Sequence, residues 1–151
     1  MPRPIHKNAG PGCPNFIARV TPAGAVTELS TGSFETGTCN GAVRDIATGP
    51  DGNVWFTLRF SPQLGRISPS GDFTFFPIPN NAEQITRGDG DTLYFTEFGA
   101  SRIARITTEG VVTESPEFRF SQPTGITAGP RRSVWFLGYG NNKVYTTTFP
   151  R

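Results

Sequence analysis

The sequence is short of the residues that build most soluble domains. Apolar residues make up 35% and charged residues 17%, against typical shares of ~45–50% and ~25%. Leu and Ala together number 15, against 49 for Thr, Phe, Ile and Val. That shortage of helix formers excludes a predominantly helical protein and favours strands. No window approaches 18 consecutive apolar residues, so no helix spans a bilayer and no membrane partner is expected. Only two lysines are present, the net charge is +2, and arginines and acids are interspersed. The electrostatic footprint of a DNA- or RNA-binding protein is therefore missing. No apolar stretch follows the basic opening residues, so no secretory signal is visible. Cysteine is limited to Cys13 and Cys39, and histidine to His6. Glycine (18) and proline (14) are plentiful, yet they stay below the level of low-complexity disorder. At 151 residues, the chain has the length of one domain.

What the sequence does have is a repeat. Trp55-Phe56-Thr57 recurs as Tyr94-Phe95-Thr96 and again as Trp135-Phe136-Leu137. Arg66-Ile67-Ser68-Pro69-Ser70-Gly71 matches Arg105-Ile106-Thr107-Thr108-Glu109-Gly110, and Arg19-Val20-Thr21-Pro22-Ala23-Gly24 is an earlier copy. A third unit, Ala47-Thr48-Gly49-Pro50-Asp51-Gly52-Asn53, resembles Thr127-Ala128-Gly129-Pro130-Arg131-Arg132-Ser133. One repeat reads as four short strands: A at 46–48, B at 54–59, C at 64–68 and D at 72–77. The A–B turn is Gly-Pro-Asp-Gly and the C–D turn Pro-Ser-Gly, where proline presets φ and glycine tolerates a positive one. Four antiparallel strands per ~40 residues are the mark of a propeller blade. A two-sheet sandwich is the alternative, but it does not require strands to repeat in blocks of four.

The fold expected is thus all-β, an arc of about three four-stranded antiparallel blades. Residues 1–14 stay unassigned, and 15–30 supply strands C and D of a split blade. Residues 43–79 and 84–118 are blades, and 123–149 give a partial one. Propellers close with ~4–8 blades, and each blade buries its faces only against neighbours. Either blades are missing, or the ring closes with another chain as a homo-oligomer. In the second case strands A and B of one chain's last blade pair with the partner's first two strands, giving a six-bladed ring. Residues 143–149, which read as a further strand C, compete with that exchange.

Three stretches carry a family resemblance: Gly49-Pro50-Asp51-Gly52-Asn53-Val54-Trp55-Phe56-Thr57, residues 64–71, and residues 94–106 with their Tyr-Phe-Thr-Glu opening. Pro123-Thr124-Gly125-Ile126 fits the same pattern. Residues 15–149 resemble the virginiamycin B (streptogramin B) lyase family. The resemblance implies a seven-bladed propeller that opens a cyclic depsipeptide by magnesium-assisted elimination at its ester bond. It also implies a working His at the start of strand A and a working Glu at the end of strand B. Position by position, the strand-A place is held by Arg44, Glu83 and Thr124, and the strand-B place by Leu58, Glu97 and Gly138. Only Glu97 matches, which makes it the candidate catalytic residue. Magnesium is the cofactor that the resemblance implies.

In such a blade the strand-A starts and B–C loops emerge on one face. Arg44, Glu83 and Thr124 should ring the channel mouth, with Arg59, Phe60, Phe98, Arg102, Tyr139, Asn141 and Asn142 on the loops. From these, Arg44, Glu83, Arg102, Thr124, Tyr139 and Asn141 are the candidate ligand-binding residues, forming a rim for a small-molecule or peptide-like ligand. The competing reading makes Arg44 and Glu83 a channel-lining ion pair and the loop aromatics covers for strand ends. Arg19, Arg66 and Arg105 share one strand-C position, which suits stem packing and pairing with a neighbouring acid. Phe73, Phe75, Phe76, Phe118 and Phe120 read as packing between blades. Cys13 and Cys39 fall on one rim, a blade apart, where disulfide Cα separations of ~4.4–6.8 Å are attainable. A bridge and two free thiols both stay open.

Overall fold

A computed structural model describes residues 16–30 and 42–150. His6, Cys13, Cys39 and the segment 1–14 lie outside them. Strands β1 (Phe16–Val20) and β2 (Val26–Ser30) pair as a two-stranded sheet. A four-stranded sheet follows, with β3 (Val43–Thr48), β4 (Val54–Leu58), β5 (Gln63–Ile67) and β6 (Phe73–Pro77) in chain order. A second holds β7 (Ile85–Arg87), β8 (Thr92–Glu97), β9 (Arg102–Thr107) and β10 (Val112–Glu114). The last has three strands, β11 (Pro123–Ala128), β12 (Ser133–Gly138) and β13 (Lys143–Thr148). Every pairing is antiparallel between neighbours in sequence. This is the propeller arc that the repeat implies.

Register repeats with the sequence. Trp55 stands opposite Arg66, Tyr94 opposite Arg105, and Trp135 opposite Thr146. Strand β4 is buried from Trp55 to Leu58 and β8 throughout, because each is covered by a sheet on both faces. The tightest fit is at Gly65, opposite Phe56, where any Cβ would run into the Phe56 ring. Strand A is longer than the sequence suggests. Register slips between Val43 and Ile46, and again between Pro123 and Ile126, so a bulge adds residues that simple alternation does not reveal.

Apolar clusters between sheets hold the arc together. The second and third blades share Trp55, Leu64, Ile78, Ile85, Leu93, Phe95 and Ile106. The third and fourth share Tyr94, Ile103, Val134, Phe136 and Phe149. The strand-C arginines extend this contact in a regular way. Arg19 Nη1 donates to the Pro69 carbonyl at 3.2 Å and Arg66 Nη1 to that of Thr108 at 3.0 Å. Arg105 lies over the Phe149 ring at 5.7 Å. Pro69, Thr108 and Phe149 each stand three residues beyond the strand-C repeat position, so each arginine reaches the C–D turn of the next blade. Arg66 also pairs with Asp51 at 3.3 Å and covers Trp55 and Phe76. Arg66→Ala is expected to cost about 1–2 kcal/mol. Arg66→Met keeps an apolar stem and should cost less, and urea unfolding of both variants checks the split.

Two expectations need revision. Phe73 and Phe75 stack on each other and meet Phe56 of their own blade edge-on, while Phe76 and Phe118 pack at blade interfaces. Phe120 does neither, since it is 79% exposed with φ 58°; the loop reverses there and turns the ring outward. The strand exchange between chains also meets an obstacle, because β13 pairs with β12 along six residues. A partner's β1 reaches β12 only if β13 leaves.

Candidate functional site

Leu93, Phe95 and Glu97 alternate along β8, so all three side chains turn to the face covered by the second blade. The first two join the apolar interface, and Glu97 ends the row at the rim, fully buried. Two strands away, Glu114 closes β10. The connection from β6 to β7 brings Asn80 between them. Its Nδ2 donates to Glu114 Oε1 at 2.8 Å and to Glu97 Oε2 at 3.4 Å. The second Glu97 oxygen, Oε1, is buried with no hydrogen-bond partner. Burial pushes the Glu97 carboxyl up from its ordinary 4.5 to about 8, and the neighbouring Glu114 acts in the same direction. Only Asn80 draws it down. At neutral pH Glu97 thus carries a proton and faces Glu114.

Asn80 also lines a rim cleft of about 250 Å³ with Phe60, Asn81, Glu83, Phe98 and Ala100. The Asn80 side chain is therefore the wall between that cleft and the buried carboxyls. Glu83 is held from two directions. Its Oε2 accepts from Arg44 Nε at 2.8 Å, and its backbone carbonyl accepts from Thr57 Oγ1 of the preceding blade at 2.9 Å. Asp45 adds a further cross-blade bond, accepting from the Ile85 N–H at 2.9 Å. The aromatic wall continues outward, with the Tyr139 ring 6.3 Å from that of Phe98 and Arg59 lying over Phe60 at 4.7 Å.

The sequence-predicted site residues divide into two groups. Arg44, Glu83, Glu97 and Tyr139 come together along this rim, and Arg44 and Glu83 do form the ion pair that was the alternative reading. Thr124, half-buried one blade further on, takes no part in that pair. Arg102 is spent on structure, with Nη1 donating to the Ser115 carbonyl at 2.9 Å. Asn141 sits against Tyr145, donating to its hydroxyl at 2.7 Å. Asn80 and Glu114 escaped the sequence reading. A signal existed for Glu114: Val-Thr-Glu recurs at 26–28 and 112–114, and the second blade has Phe75 at that register position.

The sequence model of the virginiamycin B lyase family matches residues 13–149. The chain belongs to the virginiamycin B lyase family. The virginiamycin B lyase of Bordetella pertussis is 34% identical over 61 residues, 40% of this chain and 20% of that protein. The crystal structure of virginiamycin B lyase from Staphylococcus aureus superposes with TM-score 0.75 at 32% identity, covering 91% of this chain and 50% of that one. A catalytically inactive variant of the same lyase with quinupristin gives 0.74 at 29% identity. A streptogramin B lyase structure gives 0.72 at 31%, covering 88% and 45%. This chain therefore spans about half the length of the solved lyases of its family. Its match to the curated relative covers a fifth of that protein.

Proposed function

We propose that this chain is the ligand-holding portion of a lyase-type propeller, and that it does not perform the elimination alone. The observation that carries this reading is Asn80, shared between the rim cleft and the buried Glu97–Glu114 pair. A small polar or peptide-like ligand would lie between Phe60 and Phe98, with Glu83 at its polar end. Displacing Asn80 would bring the ligand's carbonyl or amide groups to the Glu97 carboxyl.

The same donor set fits the magnesium that the family implies. Two carboxyl groups, one with an unpartnered buried oxygen, suit a hard cation that keeps several waters and takes one or two protein carboxylates, provided that Glu97 gives up its proton as the ion enters. Glu97 and Glu114 would hold it, and the ion would supply Lewis-acid polarisation of a bound carbonyl. Among the described residues no cluster of three or more His, Cys, Asp or Glu exists, so this pair would supply only part of the shell.

What this rim lacks is a base. Elimination needs a group that takes an acidic proton within hydrogen-bond reach. Arg44 offers only N–H donors and no acceptor for a proton, and Glu97 already carries a proton at neutrality. Glu83, engaged by Arg44, is left as the weak remaining choice. The half-length match to the Staphylococcus aureus lyase supports a second reading, in which further blades contribute the histidine.

Quinupristin tests both parts. Incubated with the purified, isotope-labelled chain and Mg²⁺, it is expected to bind at the rim, shifting the amide signals of Asn80, Glu83 and Phe98. It is expected to stay cyclic by mass spectrometry. Asn80→Ala should change the affinity about tenfold. Linear product that vanishes in Glu97→Gln would restore a complete lyase, and absence of binding up to about 1 mM would remove the rim as a site for this ligand class.

A further inference from the structure

Strand A starts in the same way in the second and third blades. The Asp45 backbone N–H donates to Thr57 Oγ1 at 3.0 Å, and the equivalent Gln84 N–H donates to Thr96 Oγ1 at 3.0 Å. In the second blade the pairing of strands A and B slips at this point, and such bulges re-aim the side chains beside them. The residues just before are Arg44 and Glu83, which meet across the seam between the blades. Glu83 is fixed from three sides. Its N–H donates to the Thr96 carbonyl at 2.9 Å, its own carbonyl accepts from Thr57 Oγ1 at 2.9 Å, and its Oε2 accepts from Arg44 Nε at 2.8 Å.

An ion pair that served only to close the seam would gain most from the two-pronged contact that guanidinium and carboxylate often make. This one uses a single donor and a single oxygen. Among the described residues the Arg44 Nη groups and Glu83 Oε1 meet no partner, and the side chains are 47% and 25% exposed. Glu83 also lines the rim cleft with Phe60 and Phe98. The seam therefore presents a fixed acceptor beside a donor. That is the complement of one extended residue, whose N–H and C=O point to the same side, as in each hydrogen-bonded pair of an antiparallel ladder. We propose, resting on the rim cleft as the ligand site, that the Arg44–Glu83 pair reads the backbone of a peptide ligand. Glu83 Oε1 accepts the N–H of one extended residue, Arg44 Nη donates to the C=O of the same residue, and its side chain lies between Phe60 and Phe98. An ester at that nitrogen is rejected, because it sets an oxygen against Oε1 and leaves the acceptor unpaired.

The probe is a blocked alanine–phenylalanine–alanine tripeptide, with a twin in which an ester oxygen replaces the phenylalanine nitrogen. Titrated into the isotope-labelled full chain, the tripeptide should shift the Arg44 Nε–H signal and the Glu83 and Phe98 amides. The twin should bind about tenfold more weakly. Glu83→Met should bring the two probes to equal affinity, because the acceptor is gone. Arg44→Met should weaken both about tenfold and preserve their ratio, since both keep the carbonyl that it meets. A pair that only closes the seam would respond alike to the two substitutions. The proposal is overturned if the probes bind the parent equally, if both variants change the ratio alike, or if no shift occurs up to about 1 mM. Quinupristin then separates the two claims. If it still shifts Asn80 and Phe98, the cleft stands as a ligand site and only the reading of the backbone falls; if it too leaves them unmoved, the cleft falls with it.

Discussion

Trp55→Ala is expected to lower stability by about 3–5 kcal/mol, whereas Trp135→Ala at the same repeat position should cost about 1 kcal/mol or less. Both residues sit at the same register position of a strand B and donate their indole N–H within the A–B turn. Trp55 donates to Asp51 Oδ1 at 3.1 Å and Trp135 to Ser133 Oγ at 3.1 Å. What differs is the next blade. Trp55 is fully buried, stacked on Phe76 at 4.9 Å and enclosed by the third blade. Trp135 is 42% exposed beside Leu137 and Val144, which are also open to solvent. A loss of 3–5 kcal/mol is a large part of the ~5–15 kcal/mol that a domain has, so the first variant should be unfolded in part at 25 °C. Urea titration gives the comparison directly, with the midpoint moving and the slope unchanged. Equal losses in the two variants would mean that the fourth blade's outer face is covered in solution.

That contrast marks where the sequence could be read and where it could not. The blades were legible because Trp55-Phe56-Thr57 and Arg66-Ile67 recur at a nearly fixed spacing, and each recurrence carries its own turn residues. The Arg44–Glu83 pair was legible too, since equivalent positions of adjacent blades stand side by side at the channel. Glu97 was visible as the one strand-B end that matches the Glu implied by the family resemblance, where Leu58 and Gly138 do not. Its partners were not, because Glu114 lies beyond the intervening strand β9 and Asn80 arrives from a connection with no periodicity of its own. The bond that Arg102 makes escaped the sequence for a related reason. Opposite Glu97 in register, it reads as a rim cation, but its guanidinium is needed to close the end of β10 at Ser115. Phe120 turned outward through a positive φ, and an aromatic residue gives no sequence hint of that.

Stability should fall as pH rises from about 5 to about 8, and Glu97→Gln should abolish that fall. The folded-state carboxyl of Glu97 is raised from 4.5 to about 8 by burial and by Glu114, so within this window the folded chain holds a proton that the unfolded chain has released. Stability then declines with pH by ~1.4 kcal/mol per unit and levels off once the folded-state group ionises. Over the whole window the loss is on the order of a few kcal/mol, enough to lower the melting temperature by roughly 10 °C. Asp51 acts in the opposite sense and elsewhere. Burial works against its charge, but bonds from Asn53 and Trp55 hold it below its ordinary 3.8, so its contribution disappears only in acid, below the Glu97 window. Glutamine keeps the shape of the protonated acid and can still donate to Glu114, so the variant should match the parent near pH 5 and exceed it near pH 8. Mg²⁺ adds a second arm that depends on the proposed cation site: at pH 8 it should recover stability in the parent and do nothing for Glu97→Gln. Melting curves at several pH values, with and without Mg²⁺, carry the test. A parent whose pH profile coincides with that of Glu97→Gln would show that Glu97 is ionised throughout, and the proton would have to be removed from the account of this rim.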